Sequence, residues 1–96
     1  MTTTELLQRL RESRSRLEAE YHVRIAGVFG SYARNEQNSG SDVDILVDPE
    51  EGTTLLDLGG LNSELESLLG CRVDVVSSRG LREELKPGVF GDLIPI

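Results

Sequence analysis

The sequence is poor in the residues on which several classes of protein depend. It has one cysteine, no tryptophan and 4% aromatic residues. Because Cys71 has no partner within the chain, a fold held together by internal disulfides is excluded. Apolar runs such as residues 45–47 fall far short of the roughly 20 residues that span a bilayer. No cationic patch precedes an apolar stretch in residues 1–10, so we expect no secretory signal, no membrane partner and a cytoplasmic protein.

Basic residues are also in the minority. The chain has 10 Lys and Arg against 17 Asp and Glu, which gives a formal net charge of −7. General nucleic-acid binding needs a basic face that displaces counterions, so nucleic acid is not the expected partner. Most of the acids are typical of a hydrated acidic surface, but a few of them could be grouped to hold divalent cations.

The length and the hydrophobic pattern indicate one small domain. The 96 residues, of which 38% are hydrophobic, predict a single folded unit over residues 1–96. Leucines at helical spacing predict a first helix over about residues 4–20 and a second over about residues 55–69. The second helix could instead begin after the Gly59-Gly60 pair, because each glycine inside a helix costs about 1 kcal/mol.

Three segments rich in β-branched residues predict strands over residues 23–29, 42–47 and 72–76. One or two helical turns are expected over residues 81–86, before Pro87, and the tail that follows has no clear assignment. This order of elements predicts an α/β (α+β) fold, in which helices pack on one face of a small mixed β-sheet.

Two acids alternate on the second predicted strand. Side chains at i and i+2 share one face of a strand, so Asp42 and Asp44 project together while Val43 and Ile45 face the helices. A divalent cation would turn the repulsion between the two carboxylates into coordination, since Mg²⁺ favours one or two protein carboxylates plus substrate phosphates. The same pattern also occurs on half-exposed strands whose acids simply face water.

Gly30 and Ser31 follow the first predicted strand. Glycine lets the backbone come close to a ligand, and free N–H groups at the start of a following helical turn suit phosphate oxygens. The Ser31 hydroxyl adds a further donor. A Gly-Ser pair is also common in ordinary turns, and the chain contains no G-x-x-x-x-G-K-[ST] phosphate loop.

A single acid, Asp74, interrupts the apolar third strand. An acid in such a strand is costly unless it is paired, hydrogen-bonded or bound to a metal. One interpretation is an ion pair with Arg72 or Arg79. The other requires the third strand to lie beside the second. Asp74 would then face the same cations as a third ligand and help to deprotonate an attacking hydroxyl.

Residues 30–47 resemble the signature of the DNA polymerase β-like nucleotidyltransferase superfamily, which is a Gly-Ser pair, ten intervening residues and then D-x-D. Tyr32 to Ser41 supply the ten residues between Ser31 and Asp42. The chain length, the leading helix and the segments 70–76 and 85–87 are most similar to the minimal nucleotidyltransferases encoded beside helical HEPN ribonuclease toxins. The resemblance covers nearly the whole chain.

This resemblance implies a role for each motif. Asp42 and Asp44 would bind two Mg²⁺ ions with Asp74 as the third carboxylate, and Gly30 and Ser31 would hold the triphosphate of the incoming nucleoside triphosphate. The implied reaction is an in-line displacement at the α-phosphorus, with pyrophosphate leaving. In the toxin-paired members, AMP passes from ATP to a tyrosine of the HEPN toxin and inactivates it. The resemblance therefore implies an antitoxin that is a protein adenylyltransferase.

Two other functions stay open at this point. The chain could neutralise its partner by binding alone, although a pure binder has no need of three converging acids. It could also be a nucleotidyltransferase that acts on a small molecule, although a chain this short leaves no residues for an acceptor-binding domain and so favours a protein acceptor. An exposed sheet edge could also pair two copies into a homodimer.

Four further residues have open roles. Arg34 is expected either to contact phosphate or the partner, or to form a salt bridge across the loop. Asn35 stands where the family usually has glycine, and asparagine tolerates a left-handed backbone. Tyr32 is expected to stack on a base or to pack against the first helix. Cys71 is expected to be a small core residue.

Overall fold

The first helix, α1, spans Thr3–Tyr21 in the computed structural model, which describes all 96 residues. A capping box fixes its start: the Glu5 N–H donates to the Thr2 hydroxyl, and the Thr2 N–H donates to the Glu5 carboxylate. It ends at His22, which has a left-handed backbone with φ 58°. The predicted helix over residues 4–20 is therefore confirmed to within one residue at each end. None of the helices has both the length and the apolar character that crossing a membrane requires.

Four strands form one mixed sheet. They are β1 (Val23–Phe29), β2 (Val43–Pro49), β3 (Val73–Ser77) and β4 (Ile94–Pro95), in the spatial order β3-β2-β1-β4. β1 runs antiparallel to β2 and to β4, whereas β2 and β3 are parallel. The three predicted strands are confirmed, with boundaries that shift by no more than two residues. Asp42 lies one residue before β2 rather than within it.

The second helix, α2, spans Leu55–Leu69 and contains the glycine pair. The alternative that it begins after Gly59-Gly60 is wrong, because Thr54 and Asp57 form a second capping box upstream of the pair. Gly60 also has a packing role. A Cβ atom on it would lie 2.9 Å from Cε1 of Tyr21, so the missing side chain lets α1 and α2 approach closely.

The C-terminal segment is more ordered than predicted. Short 3₁₀ turns at Ser78–Gly80 and Glu83–Leu85 lead into a third helix, α3, which spans Lys86–Asp92. The prediction that helical structure stops before Pro87 is wrong. Proline is tolerated in the first turn of a helix, where its missing N–H has no partner to lose.

The core lies between one face of the sheet and helices α1 and α2, which confirms the predicted fold class. The side chains from strands β1 and β2 that face these helices alternate with outward ones, as a half-buried sheet requires. Leu46 of β2 and Val89 of α3 are also buried, but they lie outside this cluster, on the opposite face of the sheet. The cluster consists of Leu6, Leu10, Leu17, Val23, Ile25, Val28, Tyr32, Val43, Ile45, Val47, Leu61, Leu65, Leu69 and Val73.

Side chains of α2 cap the free edge of the sheet at β3. The Val73 N–H donates to Glu66 Oε2 at 3.0 Å, and the Val75 N–H donates to Asn62 Oδ1 at 3.1 Å. Unpaired backbone donors on an edge strand invite pairing with another chain, so these two contacts protect the edge. The homodimer suggested for an exposed edge stays a prediction.

Candidate active site

Asp44 and Asp74 lie directly opposite each other on the parallel strands β2 and β3. The third strand therefore lies beside the second, as is required if Asp74 is to join the other acids. Asp74 is exposed and forms no ion pair, so the alternative in which it pairs with Arg72 or Arg79 is not observed. Arg72 instead contacts Asp42, with Nε 3.0 Å from Oδ1.

A β-bulge in β1 brings the Gly-Ser turn to the same face of the sheet. Ile25 pairs with Val47 and Gly27 with Leu46, so Ala26 is an extra residue in the ladder. Beyond the bulge the side-chain alternation is inverted, and Phe29 lies opposite Asp44 on the face that carries the acids. The bulge therefore aims the end of β1, and Gly30 after it, at the carboxylates.

Gly30 lies directly against Asp44. Its φ of +75° is a left-handed conformation that favours glycine, and a Cβ atom there would lie 2.2 Å from Asp44 Oδ2. No side chain fits between this backbone and the carboxylate. Glycine does permit a close backbone contact here, but with the Asp44 carboxylate, and its contact with a ligand stays a prediction.

The turn after Gly30 has unused hydrogen-bond donors. It is closed by the Arg34 N–H donating to the Gly30 carbonyl at 3.1 Å and by the Glu36 N–H donating to the Ser31 carbonyl at 2.9 Å. The N–H groups of residues 31–33 and the Ser31 hydroxyl make no hydrogen bond within the protein. Asn35 has φ 58°, so it adopts the left-handed conformation expected of it.

The acids carry negative charge that the protein offsets only in part, through the contact of Arg72 with Asp42 and the charge of Arg34 near Asp44. The pKa of Asp44 is raised to about 6, first by burial and then by the charges of Asp74 and Asp42, while Arg34 opposes the shift. Carboxylates are the hard oxygen ligands that Mg²⁺ prefers, so the chemistry of the cluster fits a divalent cation. No three His, Cys, Asp or Glu side chains lie close enough together to hold a metal ion by themselves, so phosphate and water would have to complete its coordination. The metal roles of Asp42, Asp44 and Asp74 stay a prediction.

Arg34 forms two ion pairs, which confirms the salt-bridge alternative. Its Nε lies 3.2 Å from Glu36 Oε2, and its Nη1 lies 2.6 Å from Asp92 Oδ2. These two carboxylates, Asp92 first, raise the pKa of the guanidinium. Contact of Arg34 with phosphate stays a prediction. Asp92 lies in the tail that was left unassigned, and no motif marks it in the sequence.

A cavity of about 420 Å³ opens beside Asp74. Gly30 and Arg34 border it together with Asp74, and Leu81, Leu85 and Val89 form an apolar wall across from them. The sequence motifs predicted Gly30, Arg34 and Asp74 as site residues, but neither Asp92 nor the apolar wall of this cavity. The apolar wall comes from the 3₁₀ turns and α3, whose leucine and valine spacing resembles that of any short amphipathic segment.

Two residues with open roles belong to the core instead of the cavity. Tyr32 is 6% exposed and packs in the hydrophobic cluster, which confirms its packing alternative. Cys71 is partly buried against the same cluster, as expected, and burial raises the pKa of its thiol.

Comparison with known proteins agrees with the motif. A family model described as a nucleotidyltransferase domain matches residues 7–93. The protein adenylyltransferase MntA of Thermococcus cleftensis is 40% identical over 94 residues, which are 98% of this chain and 95% of that protein. A solved structure of a candidate minimal nucleotidyltransferase is 46% identical, with a TM-score of 0.85, over 100% of this chain and 97% of the other.

A more distant likeness is to a solved complex of a tri-AMPylated HEPN toxin of Shewanella oneidensis with an MNT antitoxin. A chain of this complex matches with 22% identity and a TM-score of 0.57, over 93% of this chain and 63% of that one. At this identity the likeness concerns the fold alone. Together the matches confirm the resemblance that the sequence motifs suggested.

Proposed function

This chain belongs to the nucleotidyltransferase domain family and is a nucleotidyltransferase, and from that premise we propose that it transfers AMP from ATP to a tyrosine of a HEPN-type toxin. The transfer would inactivate the toxin and make this protein its antitoxin. The observation that carries the proposal is the register of Asp44 against Asp74, with Gly30 packed against the Asp44 carboxylate. A cation that bridges the protein and a nucleotide needs such acids beside a phosphate-binding turn.

The acids would hold Mg²⁺. Asp42, Asp44 and Asp74 would supply the oxygen ligands, and a cation would stabilise the charged form of Asp44, whose pKa is raised first by burial and then by the neighbouring acids. Bound there, two Mg²⁺ ions would stabilise the attacking and leaving oxygens of an in-line displacement.

The turn at residues 31–33 would hold the triphosphate. Its free N–H groups and the Ser31 hydroxyl are donors without partners in the protein, and phosphate oxygens are acceptors. Held in this way, the α-phosphorus would lie over the acids rather than over the apolar wall of the cavity. The turn therefore orients the nucleotide for attack.

Asp74 would accept the proton of the attacking hydroxyl. It is exposed on the edge strand β3 and borders the cavity, so an acceptor side chain can reach it from outside. As the tyrosine oxygen bonds to the α-phosphorus, the bond from that phosphorus to the bridging oxygen of the β-phosphate breaks. Pyrophosphate leaves, and the phenolic proton passes to the carboxylate.

Three observations favour a protein as the acceptor. The relative from Thermococcus cleftensis is named a protein adenylyltransferase, and the fold is shared with a chain of a complex between an antitoxin and an AMPylated toxin. In addition, Leu85 and Phe90 are each 52% exposed beside the cavity. Exposed apolar side chains next to a reactive centre suit a protein surface better than a small polar molecule.

The test is to incubate the protein with the HEPN-type toxin proposed as its partner, ATP and Mg²⁺, and to measure the mass of that partner as an intact protein. We expect a gain of one or more adenylyl groups with wild type and none with Asp42→Ala/Asp44→Ala. Asp48→Ala is the matched control, because Asp48 is an exposed acid near the far end of β2, where it lies opposite Arg24 and away from Gly30 and Asp74.

Two other results would indicate a different function. A stable, inactive complex that gains no mass would mean that the protein neutralises its partner by binding. Nucleotidylation of an added small molecule, with the HEPN protein unchanged, would identify a different acceptor.

A further inference from the structure

The ion pair between Arg34 and Asp92 joins two distant parts of the chain at the cavity. Arg34 lies in the turn after Gly30, and Asp92 is the last residue of α3, 58 positions later. Their hydrogen bond from Nη1 to Oδ2 measures 2.6 Å, and both side chains border the cavity. The C-terminal helix is thus tied directly to the turn that is proposed to hold the triphosphate.

Arg34 is the only basic residue that borders the cavity, whereas Asp74 and Asp92 are both acidic. A triphosphate that enters this space therefore has one side-chain cation available to it. The guanidinium has three nitrogens. Nε donates to Glu36 and Nη1 donates to Asp92, while Nη2 makes no hydrogen bond in the protein. Two fixed nitrogens leave the third free for phosphate.

Asp92 is the stronger of the two restraints on Arg34. Its side chain is 30% exposed and its contact is 2.6 Å, whereas Glu36 is 66% exposed and its contact is 3.2 Å. Exposed pairs are weakened by water and salt, so Glu36 alone would hold the guanidinium poorly. A free arginine side chain samples many rotamers, and fixing it before the ligand arrives removes that entropy loss from binding.

We propose that Asp92 is a positioning residue for the nucleotide: it holds Arg34 so that the free Nη2 faces the triphosphate. This inference rests on the proposed function, because it assumes that the turn after Gly30 binds phosphate. It adds that the end of α3 is part of the phosphate site. Asp92 itself touches neither phosphate nor acceptor, and it acts only through Arg34.

The test measures binding of Mg²⁺-ATP to the isolated protein, by displacement of a fluorescent ATP analogue. Asp92→Ala is expected to raise the Kd by about three- to ten-fold, the cost of ordering one long side chain on binding. Asp92→Asn, which keeps an acceptor oxygen, is expected to fall between Asp92→Ala and wild type. In an Arg34→Ala background, Asp92→Ala is expected to have no further effect on the Kd.

Two further competitors separate positioning from damage to the cavity. Inorganic tripolyphosphate should lose affinity in Asp92→Ala as ATP does, whereas adenosine should compete as it does with wild type. Glu83→Ala is the matched control, because it removes one acid from the same segment without bordering the cavity. Its Kd for Mg²⁺-ATP should equal that of wild type.

Three results would overturn the inference. The first is a Kd for Mg²⁺-ATP of Asp92→Ala that is equal to or lower than that of wild type. The second is a double variant whose Kd increase is the product of the increases in Asp92→Ala and Arg34→Ala. The third is an equal loss of affinity for adenosine and for tripolyphosphate in Asp92→Ala. Thermal denaturation shows whether Asp92→Ala is folded. If it is not, the Kd of Asp92→Asn is compared with that of wild type instead. Failure of the proposed function would instead appear as wild type binding ATP without modifying the HEPN protein.

Discussion

Gly30 and Asp44 touch through backbone and carboxylate, with no room for a side chain on residue 30: a Cβ atom there would lie 2.2 Å from Asp44 Oδ2. The cluster of acids and the Gly-Ser turn are therefore one packed unit. A change at Gly30 must move the carboxylate, the turn or both.

We expect Gly30→Ala to lower the rate of nucleotidyl transfer by at least about ten-fold, since a displacement near 1 Å is enough to disturb catalytic geometry. The free energy of unfolding should also fall, by about 1–3 kcal/mol, from the strained backbone and the clash. Gly70→Ala separates the effect of the strained backbone from that of the clash with Asp44. Gly70 has a similar φ of +70°, but no atom lies within 4 Å of its Cβ position. An equal effect of both variants on the rate would contradict the importance of the Asp44 contact.

The raised pKa of Asp44 predicts a dependence of stability on pH. Its pKa is about 6 in the folded protein against an ordinary value of 3.8, so the folded state binds this proton more tightly than the unfolded state does. The resulting stabilisation is complete below about pH 4 and is lost as the pH rises through about 6. Without divalent cations, wild type should therefore lose stability relative to Asp44→Asn across this window.

Chemical denaturation of both proteins between pH 4 and 8 measures this difference. Added Mg²⁺ at pH 8 should stabilise wild type and leave Asp44→Asn nearly unchanged, because binding to the folded state alone raises stability. A difference between the two proteins that is flat with pH would show that Asp44 titrates normally.

The neighbouring glycines of α2 predict opposite effects of the same substitution. Gly59→Ala should raise the free energy of unfolding by about 0.5–1 kcal/mol, since its Cβ would meet open space and alanine favours a helix. Gly60→Ala should gain less or destabilise, because its Cβ would lie 2.9 Å from the Tyr21 ring, whose hydroxyl donates to Glu64 at 2.7 Å. Thermal and urea denaturation of Gly59→Ala and Gly60→Ala would measure this difference in stability. Equal stabilisation by both substitutions would show that the Tyr21 ring moves freely.

The hydrogen bonds from β3 to side chains of α2 predict that α2 protects the sheet edge from pairing with another chain. Asn62→Ala leaves the Val75 N–H without its acceptor and should cost about 1 kcal/mol of folding free energy. It should also increase self-association, which analytical ultracentrifugation would detect as concentration-dependent sedimentation. Asn62→Asp, which retains an oxygen acceptor, should stay closer to wild type in both measurements. A monomeric Asn62→Ala would mean that Glu66 alone protects the edge.

The sequence by itself determined the elements and the spacing of the motif. Helix α1 and strand β1 could be predicted because periodicity, capping and β-branched content act within a few residues. The ten residues between Ser31 and Asp42 identified the family for the same reason, since a motif on one continuous segment needs no knowledge of packing. The sequence is compatible with two starts of α2, because the Gly59-Gly60 pair interrupts the helical pattern that follows the capping residues Thr54 and Asp57.

Only the tertiary structure decided how these parts meet. The parallel register that sets Asp44 against Asp74, and the bulge at Ala26 that turns Phe29 toward them, depend on pairing between strands. A one-residue change in such pairing sends every following side chain to the other face. The contact of Arg34 with Asp92 depends on how α3 packs, 58 positions from the turn that it restrains. These long-range contacts depend on the packing of the whole domain, so no pattern within a short segment of sequence predicts them.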